Sequence, residues 1–195
     1  MKNLTKIDKD NFFIELKKME NLIEVFKIYN PLLYKIFKNV GLLAQLLLKN
    51  LTRTNNFVVE DNMDFILASY YSNISYIKLE KFGIFENNHE MFKRHPILSA
   101  EMFDINSRIY YLIKNHHEKP NGSGIFKLQT TDKEISCIEI ADTFIFNTID
   151  TIYNPAFTKK ENIQHFEEQY IFSSIFSNDD ISIVSKTLST YEILD

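Results

Sequence analysis

At 195 residues with 45% apolar side chains, the chain is long enough to bury one sizeable core and too apolar for intrinsic disorder. A net charge of −4 excludes the broad basic surface that a nucleic-acid polymer demands. A single cysteine excludes an internal disulfide framework and fits a reducing, cytoplasmic setting.

Four glycines and four prolines leave few sharp turns, which predicts long helices rather than a sandwich of short strands. The opening residues carry no apolar stretch of the signal-peptide kind. Over residues 11–28, Phe12, Phe13, Leu16, Met19, Ile23 and Phe26 recur near helical spacing, with Asp10 or Asn11 as the expected cap. Asn30-Pro31 should end that helix, because the residue before proline avoids the helical region. A second helix is expected over residues 31–51, with Pro31 in its first turn. Its most apolar stretch, residues 40–48, is shorter than the ~20 residues of a membrane span, so no membrane partner is expected.

Residues 52–56 read as a polar loop and residues 61–79 as a third helix. Residues 82–88 read as irregular, and His95-Pro96 should open a new segment. A helix over 98–115 should end at His116 and His117. A turn-rich loop follows over 121–132, then a strongly apolar helix over 134–149 that carries Asp142. Asn154-Pro155 breaks the chain again. Thr158 should cap a helix over 159–173, with Glu161 completing a capping box, and Asp179 should cap a last helix to about Leu188. The pattern predicts an all-α bundle of about seven or eight helices. Residues 1–30 read as an N-terminal helical extension and 31–195 as the domain proper. The amphipathic stripe of the extension suits either a dimerisation helix or a cap on the core.

The chemistry concentrates in His116-His117-Glu118-Lys119-Pro120-Asn121-Gly122-Ser123-Gly124, which holds two of five histidines. Adjacent imidazoles have little use in a core, but they can grip a metal from the end of a helix. Taken singly, the other candidates have plain readings. His95 can cap a segment, Asp142 can be a buried and hydrogen-bonded acid, and Cys137 is a small buried hydrophobe. His89 and His165 stand outside the motif, and the pairs Lys17-Lys18 and Lys159-Lys160 read as solvated.

The segment resembles the signature of the HD-GYP phosphohydrolases, His-His-Glu-x-x-Asp-Gly-x-Gly-Tyr-Pro. His95-Pro96 resembles that family's His-Pro element, and Ile140-Ala141-Asp142 its aspartate helix. Tyr153, Pro155 and the helix from Lys159 are similar to its tail, so the likeness runs from about Pro31 to Leu188. The first half departs. Asn39 stands where the first histidine is expected, Ser72-Asn73 where the His-Asp pair is, and Tyr76 where a phosphate-facing lysine is. Asn121 replaces the aspartate of the signature, and Gly124-Ile125-Phe126 replaces Gly-Tyr-Pro.

The resemblance implies one metal held at the positions of Asn39, Ser72, Asn73 and Asp142. Only Asp142 is still a strong ligand there, so that metal is expected to be lost. It implies another on His95, His116 and His117, where three imidazoles suffice for one divalent transition metal (zinc, iron or manganese). A relic pocket without metal is the competing reading. Glu118 would orient a histidine or be a solvated helix end. Tyr76, with Tyr70 and Tyr71, would line the pocket or be core, and Gly122, Ser123 and Gly124 could offer backbone amides to an anion. The implied role is a degenerate bacterial signalling domain that binds a cyclic dinucleotide such as cyclic di-GMP, or a protein. The alternative is a weak phosphohydrolase that works with a single metal.

Overall fold

A computed structural model describes residues 4–52, 62–79, 89–149 and 156–195. Asp8 rather than Asp10 or Asn11 caps the first helix, its carboxylate accepting the Asn11 N–H at 2.9 Å. Helix α1 then runs Lys9–Tyr29. Asn30 serves two helices. Its N–H donates to the Phe26 carbonyl at 2.7 Å, and its side-chain oxygen accepts the Leu33 N–H at 3.0 Å. Helix α2, Pro31–Leu51, is therefore separated from α1 by Asn30 alone.

α1 buries Phe12, Met19 and Phe26 against the rest of the chain. The Phe26 and Phe37 rings meet edge-on at 5.9 Å, so α1 lies on the core. α2 is the central element, with Leu33, Ile36, Phe37, Val40, Leu43 and Leu47 buried between α1 and later helices. By length and composition it is the one helix among the described residues that could cross a membrane, but most of its apolar window is already buried in the fold. The ring of Tyr70 lies where a Cβ on Gly41 would sit, 2.2 Å from its nearest atom.

The helix expected over 61–79 is divided into α3, Met63–Tyr71, and the single turn α4, Tyr76–Leu79. The residues between them are Ser72, Asn73, Ile74 and Ser75. Their hydroxyls compete with the helical ladder. Ser72 donates to the Ser69 carbonyl at 3.3 Å, and Ser75 donates from Oγ to the His95 carbonyl at 2.9 Å. Helix α5, His89–Ala100, contains Pro96 in its interior. His95-Pro96 thus lies within a helix instead of opening a segment.

The helix expected over 98–115 is divided as well. α5 ends at Ala100, and α6 is only Arg108–Lys114. Asp104 bonds the Asn106 N–H at 2.7 Å, and Ser107 caps α6 by accepting the Tyr110 N–H at 3.1 Å. The N-terminal segment fixes that break: Thr5 donates to the Asn106 carbonyl at 2.9 Å and accepts the Arg108 N–H at 2.8 Å. This bridge is the one β-type pairing among the described residues.

Helix α7, Lys133–Thr148, is capped by Asp132. α8, Lys159–Tyr170, has the Thr158–Glu161 capping box expected from sequence. α9, Asn178–Thr190, is capped by Ser177 with Asp180 as the reciprocal partner, not by Asp179. The sequence readings at 53–56, 82–88 and Tyr153 to Pro155 lie outside the described residues. The architecture is all-α, with eight helices of seven residues or more and the single turn α4 among the described residues. α7 packs along α2, α6 packs against α3 and α5, and α8 and α9 close the other side.

Gly41→Ala places a methyl inside the Tyr70 ring, and overpacking of this kind costs about 1–3 kcal/mol. We expect its unfolding free energy to fall by that amount, seen as a lower urea midpoint at unchanged slope, and Tyr70→Ala to relieve the clash in the double variant.

Candidate metal centre

Three histidines converge from two places. His95 comes from the middle of α5, and His116 and His117 from the turn after α6. The Nε2 atoms of His95 and His116 are 3.2 Å apart, and those of His95 and His117 are 3.1 Å apart. All three side chains are buried, and they form the one such group of potential metal ligands among the described residues.

The backbone decides which nitrogen carries each proton. A carbonyl only accepts, so a ring nitrogen bonded to one must carry the hydrogen. His95 Nδ1 lies 2.6 Å from the Phe92 carbonyl, and His116 Nδ1 lies 2.6 Å from the Ile113 carbonyl. In the neutral rings Nε2 is then a bare lone pair in both. Two lone pairs therefore face each other at 3.2 Å. A proton on His117 Nε2 can satisfy His95 but leaves His116 opposed.

A fourth charge-assisted proton is no remedy in this setting. Burial pushes the His116 imidazole down to about 4. Burial, then the neighbouring His116, drives His95 well below its ordinary range. Burial, then His116, His95 and Lys119, does the same to His117. The rings are neutral at pH 7, so their nitrogens are available as ligands. Zinc–imidazole bonds of about 2.0–2.1 Å give tetrahedral N···N edges of about 3.3–3.4 Å, close to the separations of 3.1 and 3.2 Å in this cluster.

Asp142 arrives from α7, with Oδ2 3.7 Å from His117 Nε2. Its other oxygen accepts the Asn73 amide in a short hydrogen bond. Burial pushes the Asp142 carboxyl up to about 7; the Asn73 bond opposes that shift and Glu139 adds to it. Asn73 Oδ1 is buried with no partner. The structure thus brings together His95, His116, His117, Asp142 and Asn73.

Asn39 does not join them through any of its bonds. Its amide nitrogen donates to the Lys35 and Leu194 carbonyls at 2.7 and 2.8 Å. Its oxygen accepts the Tyr191 hydroxyl and the Leu194 N–H at 2.9 and 2.8 Å. Asn39 is a clasp for the segment after α9. Ser72 is equally committed, donating to Ser69 within its own turn. Tyr76 is wholly buried and stacks on His95 with ring centroids 4.6 Å apart, so it packs the site rather than opening it. Tyr71 belongs to the core under α1, where its hydroxyl reaches the Glu15 carbonyl at 3.4 Å.

Glu118 is also reassigned. It is neither a solvated helix end nor a partner of a histidine. Its buried carboxylate accepts the Phe126 and Leu128 N–H groups at 2.8 and 2.6 Å and closes the loop after the histidines. Gly124 fits under this strap because a Cβ there would lie 2.5 Å from the His117 carbonyl. Gly122 takes a positive φ of 73° that suits glycine. The amides of Gly122 and Ser123 are bonded to the Lys119 carbonyl and the Asn121 side chain, so neither is free for an anion. Cys137 is buried and its thiol is pushed up by burial, as a small core hydrophobe should be.

Sequence reading missed the groups that hold these pieces in register. Lys119 meets buried Glu139 at 3.1 Å and Gln169 at 2.9 Å. Glu139 in turn accepts the buried Tyr170 hydroxyl at 2.6 Å. Ser75 and Ser99 tie the α3–α4 turn to α5. The one available signal was a charged residue in the apolar run of α7, which applies to Glu139 as much as to Asp142. No family model matches the chain, and no curated protein is similar to it.

Hydrogen bonds to charged groups are worth about 1.5–3 kcal/mol each. Glu118→Ala should therefore cost at least one such bond in stability. Amide exchange measured by NMR should speed up at Phe126 and Leu128 before it does elsewhere in the loop.

Proposed function

We propose that this chain is a degenerate HD-GYP-like domain that holds one divalent transition metal on His95, His116 and His117. We propose further that it acts in signalling by binding a cyclic dinucleotide or a protein partner, without hydrolysing phosphodiesters. The observation that carries the metal reading is the facing pair of unprotonated Nε2 atoms at 3.2 Å, buried where protonation is disfavoured. A cation between them turns a repulsion into two bonds. An all-imidazole set suits zinc or iron better than manganese, which favours oxygen ligands. A metal held there would supply a Lewis acid.

The case against hydrolysis rests on the donors for a second ion. Two-metal chemistry needs carboxylates and imidazoles on both sides of the reacting phosphate. Ser72 is bonded within its turn, Asn73 gives its amide to Asp142, and Asn39 is consumed by the C-terminal segment. Tyr76 is packed on His95 where the resemblance leads one to expect a lysine. Each ~1.4 kcal/mol of lost transition-state stabilisation costs tenfold, so losing a metal and a cationic contact together removes useful rate. Phe92, partly exposed, lies 5.3 and 5.0 Å from the His95 and His117 rings.

Purified protein should bind about one equivalent of Zn²⁺ or Co²⁺, and His95→Ala or His116→Ala should abolish this. Absence of stoichiometric metal under reducing conditions would sink the metal reading. Hydrolysis of cyclic di-GMP above a His95→Ala/His117→Ala control would sink the binding-only reading. Calorimetric titration with cyclic di-GMP separates the two partner classes: heat of binding supports the nucleotide, and a silent titration leaves the protein partner.

A further inference from the structure

Pro96 sits inside α5, where it supplies no N–H. In an α-helix the N–H of residue 96 would bond the carbonyl of residue 92. That carbonyl belongs to Phe92, and it is the one His95 Nδ1 takes at 2.6 Å. The proline therefore vacates an acceptor, and the side chain of the preceding residue fills it. A second group waits at the same nitrogen: the Tyr76 hydroxyl lies 3.3 Å from His95 Nδ1. A hydroxyl can donate as well as accept. If Nδ1 lost its carbonyl acceptor, Tyr76 could donate to it, and the ring proton would move to Nε2.

We propose that Pro96 is a positioning residue that selects the tautomer of His95. By withholding an N–H from the Phe92 carbonyl, it keeps the proton on Nδ1 and the Nε2 lone pair directed at His116 and His117. This deepens the single-metal reading and rests on it for its use, since only an unprotonated Nε2 can bind a metal. The tautomer itself exists with or without metal, so it can be tested separately. The device is local. It needs a helix, a proline in its interior and a histidine immediately before that proline, and residues 95 and 96 provide both side chains.

The test is Pro96→Ala in the full chain, read in three ways. Ring ¹⁵N spectra of metal-free protein labelled at histidine, with His95 assigned by loss of its signal in His95→Asn, report the tautomer. The parent should show the Nδ1–H form. Pro96→Ala should shift His95 toward Nε2–H, and Pro96→Ala/Tyr76→Phe should move it back. Thermal unfolding should show Pro96→Ala at least as stable as the parent, since proline is unfavourable inside a helix. Co²⁺ affinity should nevertheless fall about tenfold, the scale of losing an outer-shell partner of a ligating histidine. A purely structural role for Pro96 would move stability and affinity in the same direction. Should His95 keep its Nδ1–H form in Pro96→Ala, the proposal is overturned whatever the metal does. If the parent binds no Co²⁺ but its tautomer responds to Pro96→Ala, the tautomer proposal stands and the metal reading fails.

Discussion

His95 and His116 each give their ring proton to a backbone carbonyl, and the lone pairs left over face one another across 3.2 Å of buried interior. Much of the local structure serves that arrangement. Ser75 and Ser99 bind the turn after α3 to α5 and hold the His95 carbonyl. Glu118 folds the following loop back beneath the histidines. Lys119 and Glu139 join the loop to α7 one helical turn before Asp142. A buried ion pair of this kind adds little net stability, because desolvation offsets its attraction. We take its contribution to be register, since it runs between the same two segments as His117 and Asp142.

Much of this was legible in the chain. α2 was readable from the proline in its first turn and its apolar stretch over residues 40–48. The Thr158–Glu161 box marks the start of α8. The convergence of His95 with His116 and His117 followed from the resemblance and not from any local pattern, because 21 residues separate His95 from His116. The breaks inside two expected helices were not legible. At Ser72 to Ser75 the break is set by Ser72 bonding within its turn and by Ser75 bonding residues 20 and 24 positions away. At Asp104 to Ser107 the break is set partly by Thr5, about a hundred residues earlier. Non-local partners of this sort leave no trace in a window of sequence.

Glu118 and Asn39 both take partners that their sequence neighbours do not announce. A carboxylate next to two histidines suggests service to them, yet its partners are main-chain amides of the loop. An asparagine on α2 in register with an expected histidine suggests a vacated site, yet its partners lie 152 and 155 residues further on. Side-chain type announces what a residue can bond, and the fold decides to what. The expected grouping of His95, His116 and His117 is present, whereas Asn39 and Glu118 bond to segments distant from them in the chain or to the following loop.

That difference bears on whether the histidines are a relic. At Asn39 every hydrogen-bonding position of the amide is used: two donors, and an oxygen that accepts twice. Asn39 is thus fully satisfied within ordinary structure. The three histidines are not. The Nδ1 atoms of His95 and His116 are bonded to carbonyls, but the Nε2 atoms converge with too few protons to share, in a region where each unpaired polar atom is costly. Asn73 stands between these cases, with its nitrogen bonded to Asp142 and its buried oxygen without a partner. Among the described residues the Ser136 and Ser173 hydroxyls are also buried without a partner, but neither sets two lone pairs against each other. The facing Nε2 atoms of His95 and His116 give this cluster the electrostatic form of a cation site.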